Sequence, residues 1–236
     1  MKAPVQAGPE STKPTTKADA LRHLVRQRQS DRWPGYNTIA DYHDGVYECD
    51  YVSPYTRSAG NLHAEVFILL QDWVSHDFLV GPVDEDLIRY GRKPSLPTNR
   101  NLDRLLDTHL GLKIGQTYAT NLFPFIKPGG LTATIPVKDL VLAAEKYALP
   151  QIDIVRPRAV IALGLDVYHA LARALGQRPA SKLDLAIQTP MPHGRAQIWC
   201  QAHTGGLGQA NRSRGGVDRV HADWAQLAHV VCGTRT

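Results

Sequence analysis

Four short apolar runs, separated by stretches with helical spacing, constrain this chain more than any other feature. The runs are VFILL at 66–70, YATNL at 118–122, AVIAL at 159–163 and QIWCQA at 197–202. Three of them are apolar almost throughout, which is typical of strands covered on both faces. Strands that alternate with helices indicate βαβ units. The sequence therefore predicts an α/β fold, a three-layer α/β/α sandwich around a central, mostly parallel four-stranded sheet.

Helical spacing of apolar residues marks the segments between and around these runs. Helices are predicted at 19–29, 102–110, 137–148, 149–155, 167–175 and 221–231. No fixed-period repeat is present, which excludes a solenoid.

The length of 236 residues fits one domain. Residues 1–16 are rich in Pro, Ser, Thr, Lys and Gly, so we expect a disordered leader there and a single domain over 17–236. No run reaches the ~18–20 apolar residues of a membrane span, and the first thirty residues lack the apolar core of a signal peptide. We expect a monomer that works in the cytoplasm without contacting a membrane.

Charge and cysteine content limit the classes of partner and cofactor. The 27 Lys and Arg residues against 22 Asp and Glu give a net charge of +5, which suits a polyanionic partner but is also ordinary for solubility. Cys49, Cys200 and Cys232 are an odd number without an export signal, which predicts reduced thiols. Because no C-x-x-C pair is present, we expect no cysteine-bound zinc or iron–sulfur cluster, and no other metal or cofactor.

Three polar residues lie at the ends of predicted strands. Asp72 follows the first apolar run, Asn121 lies near the end of the second, and His203 follows the fourth. In parallel sheets ligands bind outside the carboxyl ends of the strands. Taken singly, Asp72 could cap a helix, Asn121 could form a turn, and His203 could be an incidental loop residue. Their shared placement favours a functional site.

The segment GGLGQANRSRGG at 205–216 combines five glycines with Arg212 and Arg214. It matches neither a Walker loop nor G-x-G-x-x-G. It is either a mobile surface loop or a flexible loop that grips phosphate through backbone N–H groups and the two arginines. Leu207, an apolar residue within this segment, is hard to explain as part of a core.

Several segments, in order, resemble the uracil-DNA glycosylase superfamily over about residues 64–232. They are QD at 71–72, FLVG at 78–81, NLDRLL at 101–106, YATNL at 118–122, PRAVIALG at 157–164 and the histidine at 203. Most of them are similar to the thermophile-type branch, whereas Gln71-Asp72 is similar to the Gly-Gln-Asp-Pro-Tyr-His motif of the uracil-specific branch.

The chain also departs from both branches. The four iron–sulfur cysteines of the thermophile-type branch are absent, and Leu70 and Trp73 stand where the uracil-specific branch has Gly and Pro. Val74 stands where the uracil-specific branch has a tyrosine that blocks the methyl group of thymine. The usual His-Pro-Ser-Pro-Leu motif keeps only His203 and Leu207. We interpret the chain as a divergent member.

The resemblance implies a monofunctional uracil-DNA glycosylase of base excision repair. Such an enzyme flips uracil out of single- or double-stranded DNA and hydrolyses its N-glycosidic bond, releasing free uracil and leaving an abasic site. By resemblance Asp72 stabilises the cationic sugar and orients water. His203 donates to uracil O2, aided by the backbone N–H of Gln71.

The resemblance also assigns binding roles. Phe78 stacks on the flipped uracil, and the amide of Asn121 pairs with the N3–H and O4 groups of uracil. Leu207 fills the vacated base stack. Arg212 and Arg214, from the glycine-rich segment, hold DNA phosphates.

Three alternatives remain open. The missing blocking tyrosine at Val74 allows a glycosylase for mismatched thymine or for hypoxanthine. The altered histidine motif allows a DNA-binding protein that holds uracil or abasic sites with little turnover. A nucleotide-binding α/β protein is disfavoured because the phosphate motifs fail.

Overall fold

The computed structural model describes residues 16–233, apart from the side chain of Cys232. The predicted leader lies outside the described residues except for its last residue, Thr16. The hydroxyl of Thr16 accepts from the backbone N–H of Asp19 and so caps the first helix.

A five-stranded sheet forms the centre of the fold. Its strands are β1 (Val66–Asp72), β2 (Tyr118–Phe123), β3 (Ala159–Leu163), β4 (Met191–His193) and β5 (Ala196–Gln201). Their order is β2-β1-β3-β5-β4, with β4 antiparallel to β5 and all other pairs parallel. The four predicted strands are confirmed.

The predicted number of four strands is wrong by one, because the sequence pattern did not reveal β4. This edge strand has three residues, Met-Pro-His, and a turn with Gly194 at φ +57° leads directly into β5. Three residues are too few for a periodicity of two to be recognised. The proline is compatible with an edge position, where its missing N–H breaks no ladder.

Helices cover both faces of this sheet. They are α1 (Lys17–Ser30), α2 (His76–Leu79), α3 (Glu85–Tyr90), α4 (Pro97–Leu105), α5 (Val137–Ala143), α6 (Leu149–Val155), α7 (Leu165–Ala174), α8 (Leu183–Gln188), α9 (Gly206–Arg212) and α10 (Arg219–Cys232). None of the helices within residues 16–233 is long and apolar enough to cross a bilayer.

The six predicted helices are present; α6 has the predicted boundaries, and those of the other five differ. The helix predicted at 102–110 begins five residues earlier at Pro97, a residue suited to a first helical turn, and reaches Leu110 through a π-helical turn. A second π-helical turn, Ala144–Ala148, joins α5 to α6. The sequence missed α2, α3, α8 and α9, which have four to seven residues each and are too short for helical spacing to show.

Alternate residues of β1 enter opposite cores. Phe67 and Leu69 pack in a cluster with α1, α5, α6 and α7. Ile68 and Leu70 pack in a second cluster with α4 and α10, which includes the fully buried Trp224. This alternation is the pattern of a strand buried on both faces. The fold is therefore a three-layer α/β/α sandwich.

The segment between α1 and β1 pairs with the edge strand β2, where the N–H of Ala119 donates to the carbonyl oxygen of Ala59, and it is held by Arg28. One guanidinium nitrogen of this buried arginine donates to both carboxylate oxygens of Glu48, at 2.5 and 2.7 Å. The other donates to the carbonyl oxygens of Cys49 and Tyr51, at 2.9 and 2.7 Å. These bonds position the chain just before Ser53, which takes part in the site described below.

Cys49 and Cys200 are free, buried thiols. The third cysteine of the prediction of reduced thiols, Cys232, has its side chain outside the described residues. Burial raises the pKa of the Cys200 thiol to about 12. The pKa of Cys49 is also raised, chiefly by burial.

Candidate active site

A cavity of about 350 Å³ opens at the carboxyl ends of β1 and β5. We call it the carboxylate cavity. Gln71, Asp72, Lys127 and His203 all line it. Its volume is in the range of small-molecule sites, and its place is where α/β sheets bind ligands.

A buried ion pair lies in the wall of this cavity. Lys127 Nζ is 3.0 Å from Oδ2 of Asp72, and the two side chains are only 5% and 15% exposed. The same ammonium donates to the carbonyl oxygen of Leu131 at 2.8 Å. Because both groups are largely removed from water, their mutual attraction is stronger than that of a surface pair. Asp72 thus has a close cationic neighbour.

Backbone pairing beyond the strands brings Lys127 to this position. Asp72, the last residue of β1, is in register with Phe123, the last of β2. The segments that follow β1 and β2 remain paired. Ser75 forms a β-bridge with Lys127, and the N–H of His76 donates to the carbonyl oxygen of Lys127 at 3.0 Å. Sequence reasoning missed this lysine, and the one available signal was a lone charge ending the apolar stretch FPFI at 123–126.

His203 follows β5 and is held in one tautomer. The backbone N–H of Gly205 donates to Nδ1 of His203 at 3.0 Å. An Nδ1 that accepts a hydrogen bond carries no proton, so the neutral ring has its proton on Nε2. Desolvation lowers the pKa of His203; the charge of Asp72 opposes this effect and that of Lys127 adds to it. The ring is therefore suited to donate from Nε2 while neutral.

The backbone just after His203 is also held by a contact from helix α4. Nδ2 of Asn101, in α4, donates to the carbonyl oxygen of Thr204 at 2.8 Å. A Cβ at Gly205 would lie 2.9 Å from the imidazole ring of His203, closer than real Cβ atoms come. The glycine therefore allows the tight turn that presents its N–H to the ring.

Asn121 lies inside β2, in register with the cavity residue Leu70, and its side chain is completely buried. The hydroxyl of Ser53 donates to Oδ1 of Asn121 at 2.6 Å. Nδ2 of Asn121 is buried without a hydrogen-bond partner among the described residues. Ser53 thus fixes the orientation of the amide and leaves its NH₂ group unsatisfied. Sequence reasoning missed Ser53, which is far from Asn121 along the chain.

The structure does not bring every predicted base-binding residue onto the cavity wall. Gln71 lines the carboxylate cavity together with Asp72. Phe78 lies in α2, half-buried against a cluster that includes Val74 and Leu79, and is not part of the wall. The stacking role of Phe78 stays a prediction.

The prediction of a flexible loop at 205–216 is wrong over Gly206–Arg212, which form helix α9. A Cβ at Gly208 would lie 2.2 Å from the carbonyl oxygen of His203, so this glycine serves close packing rather than mobility. Leu207 is 79% exposed at the start of the helix, next to Gly206 in the cavity wall.

Arg212 is engaged by two carboxylates. Its Nε and one terminal nitrogen donate to Asp223 at 2.6 and 2.9 Å, and its other terminal nitrogen donates to Asp184. These hydrogen bonds, that to Asp223 first, raise the pKa of Arg212. Its side chain is only 10% exposed. The structure therefore gives Arg212 a role in joining α9 to α8 and α10, and this role weighs against the predicted phosphate contact.

Arg214 has no such carboxylate partner within hydrogen-bond distance among the described residues, and it donates to Oδ1 of Asn211 at 3.0 Å. With Arg212, Arg219 and His203 it lines a second cavity of about 550 Å³, which we call the arginine cavity. His203 lines both cavities. The arginine cavity, which is lined by basic side chains, thus adjoins the carboxylate cavity.

Comparison with protein-family models finds no family that matches this chain, and comparison with curated proteins finds no similar protein. The resemblance to uracil-DNA glycosylases thus stays a prediction based on the residues alone. Within residues 16–233, no group of three or more His, Cys, Asp or Glu side chains is arranged to hold a metal ion.

Proposed function

We propose that the protein is a DNA glycosylase that hydrolyses the N-glycosidic bond of deoxyuridine in DNA, leaving an abasic site. One observation carries this proposal: Asp72 and His203 line the same cavity at the carboxyl ends of β1 and β5. As this bond breaks, a carboxylate can stabilise the cationic sugar and a neutral N–H donor can stabilise the departing base.

Cleavage separates charge between the sugar and the departing base. Positive charge develops on the sugar, where the Asp72 carboxylate stabilises it and orients a water. Negative charge develops on uracil, where Nε2–H of His203 donates to O2. Because the proton is held on Nε2 by the Gly205 contact at Nδ1, this donor is organised before the substrate arrives.

The amide of Asn121 supplies base selection in this proposal. Its unsatisfied NH₂ group donates to uracil O4, and the second lone pair of Oδ1 accepts from N3–H while the first accepts from Ser53. Cytosine presents the reverse pattern and would leave buried polar groups unpaired. Asn121 is buried beside Leu70, and Leu70 lines the cavity. The entering base must therefore displace the side chain of Leu70 to reach the amide.

Features of the surface around the two cavities support DNA binding in this proposal. A base inside a duplex is unreachable until it is flipped out. The exposed Leu207 is suited to fill the vacated stack. Arg214 and Arg219, both exposed in the arginine cavity, are suited to contact phosphates on the flanking strand.

A mismatch thymine glycosylase is a second candidate, and one observation favours it. Val74 lines the carboxylate cavity. A valine is smaller than the tyrosine that would block the 5-methyl group, so the wall leaves room for thymine.

The proposal is tested with oligonucleotides that carry one uracil, one hypoxanthine or one mismatched thymine, followed by alkaline cleavage of abasic sites. We expect wild-type protein to cut at uracil. Asp72→Asn should reduce the single-turnover rate by orders of magnitude while DNA binding persists, because it removes charge from the transition state.

Asp77→Asn is the matched control, because Asp77 is an exposed carboxylate in α2 that does not line the cavity. It should behave like the wild type. Excision by Asp72→Asn at the wild-type rate would remove Asp72 from the mechanism. Faster cutting at mismatched thymine than at uracil would support the second candidate.

A further inference from the structure

Lys127 has a position that hydrolysis by Asp72 and His203 does not explain. A positive charge 3.0 Å from the Asp72 carboxylate works against the stabilisation of a cationic sugar by that carboxylate. A carboxylate 3.0 Å away can, however, accept the proton that a lysine must lose before its amine acts as a nucleophile. The pair therefore points to a second chemical step.

We propose that Lys127 forms a covalent imine with the open-chain aldehyde of an abasic site in the carboxylate cavity. The substrate class is an aldehyde of 2-deoxyribose within DNA. The proposal rests on the proposed function only in requiring that this cavity receives a DNA sugar.

The placement of the amine supports this step. Lys127 lines the cavity, and its stem is buried so that the side chain is only 5% exposed. Asp72 and the carbonyl oxygen of Leu131, at 3.0 and 2.8 Å, hold Nζ in place. In the proposed reaction Asp72 faces C1′ of the sugar. A group in contact with Asp72 is therefore within reach of the same carbon.

The step balances without any other reactant. The Lys127 ammonium first passes one proton to the Asp72 carboxylate, and the free amine adds its electron pair to the aldehyde carbon C1′. The adduct rearranges its protons to a neutral carbinolamine. Asp72 then returns its proton to the hydroxyl group, which leaves as water, while the nitrogen lone pair forms the C=N bond. The products are a protonated imine on Lys127, one water and the regenerated carboxylate.

The test uses an oligonucleotide with a preformed abasic site, incubated with full-length protein and sodium borohydride, which reduces an imine to a stable amine. A denaturing gel should show a covalent complex that depends on borohydride. Peptide mass spectrometry should place the adduct on Lys127. An oligonucleotide with a tetrahydrofuran in place of the abasic sugar has no aldehyde and should give no complex.

Two lysine variants complete the test. Lys127→Arg keeps the positive charge beside Asp72 but cannot form this imine, so it should abolish the complex. Lys113→Arg is the matched control, because Lys113 is an exposed lysine that is also paired with a carboxylate, that of Asp107 at 2.6 Å, but does not line the cavity. It should trap DNA as the wild type does.

Absence of a complex with the wild type, an adduct on any other residue, or undiminished trapping by a folded Lys127→Arg variant would overturn the inference. If Lys127→Arg fails to fold, the adduct site in the wild type decides. Because the abasic site is supplied ready-made, trapping without uracil excision would refute the glycosylase alone, and excision without trapping would refute the imine alone.

Discussion

Ser53→Ala removes the hydroxyl that donates to Oδ1 of Asn121 across 2.6 Å. Both side chains are buried, so the loss leaves a buried acceptor unpaired, which costs about 1–3 kcal/mol. The same hydroxyl accepts from the N–H of Tyr55 at 3.3 Å and caps the 3₁₀ turn Pro54–Ser58. A reduction of about 2 kcal/mol in the free energy of unfolding is therefore expected.

The effect on excision has a separate cause. Without the Ser53 hydroxyl, the side-chain amide of Asn121 is free to rotate by about 180°. This rotation exchanges the positions of its NH₂ donor and its C=O acceptor relative to the base. A mismatched contact worth about 2 kcal/mol in the transition state corresponds to a rate lower by about 30-fold. Single-turnover excision of uracil from a single strand, well below the unfolding temperature, measures this loss, and urea unfolding measures the stability.

Ser58→Ala is the control, since Ser58 ends the same turn and its hydroxyl makes only a long contact of 3.5 Å with the carbonyl oxygen of Tyr55. It should change neither quantity appreciably. If Ser53→Ala is less stable but excises uracil at the wild-type rate, the orientation of Asn121 does not select the base and the reasoning fails.

Two further predictions concern acid stability and DNA binding. Burial and the facing His221, whose Nδ1 is 2.8 Å from Nε2 of His109, lower the pKa of His109. The unfolded chain then binds more protons, so this contribution to the free energy of unfolding is present above about pH 6.5 and is lost as pH falls through the lowered pKa. Urea unfolding between about pH 7.5 and about pH 5 should show a smaller loss for His109→Gln than for the wild type, and equal losses would contradict this. Arg214→Ala should reduce the slope of the logarithm of the DNA association constant against log salt by about 1. Arg212→Ala should instead mainly reduce the free energy of unfolding, because it leaves the carboxylates of Asp184 and Asp223 unpaired. An unchanged slope for Arg214→Ala would remove the arginine cavity from the DNA interface.

Four of the five strands, and the placement of Asp72 and His203 at one edge of the sheet, were predictable because they follow from local pattern. A strand buried on both faces is a short apolar run, and the carboxyl ends of parallel strands share one edge. Asp72 and His203, which end or follow such runs, therefore lie at the same edge of the sheet, although β3 separates β1 from β5.

Lys127 and Ser53 were not predictable, because tertiary pairing positions them. Lys127 reaches Asp72 through backbone pairing with Ser75 beyond the strand ends, and Ser53 reaches Asn121 through an irregular segment held by Arg28. Neither arrangement leaves a periodic signal.

The glycines of 205–216 suggested flexibility for a different reason. At Gly208 the missing side chain allows a helix to approach the backbone of His203, and composition cannot distinguish this use of glycine from a mobile loop.

Release of free uracil distinguishes a uracil-DNA glycosylase from a protein that only binds DNA. Wild-type protein is incubated with a single-stranded oligonucleotide that carries one uracil, and the free base is quantified by mass spectrometry alongside alkali-labile sites. We expect one free uracil for each abasic site that the wild type forms, and almost none of either product with Asp72→Asn. No uracil release by the wild type above the level of Asp72→Asn would contradict the proposed glycosylase activity.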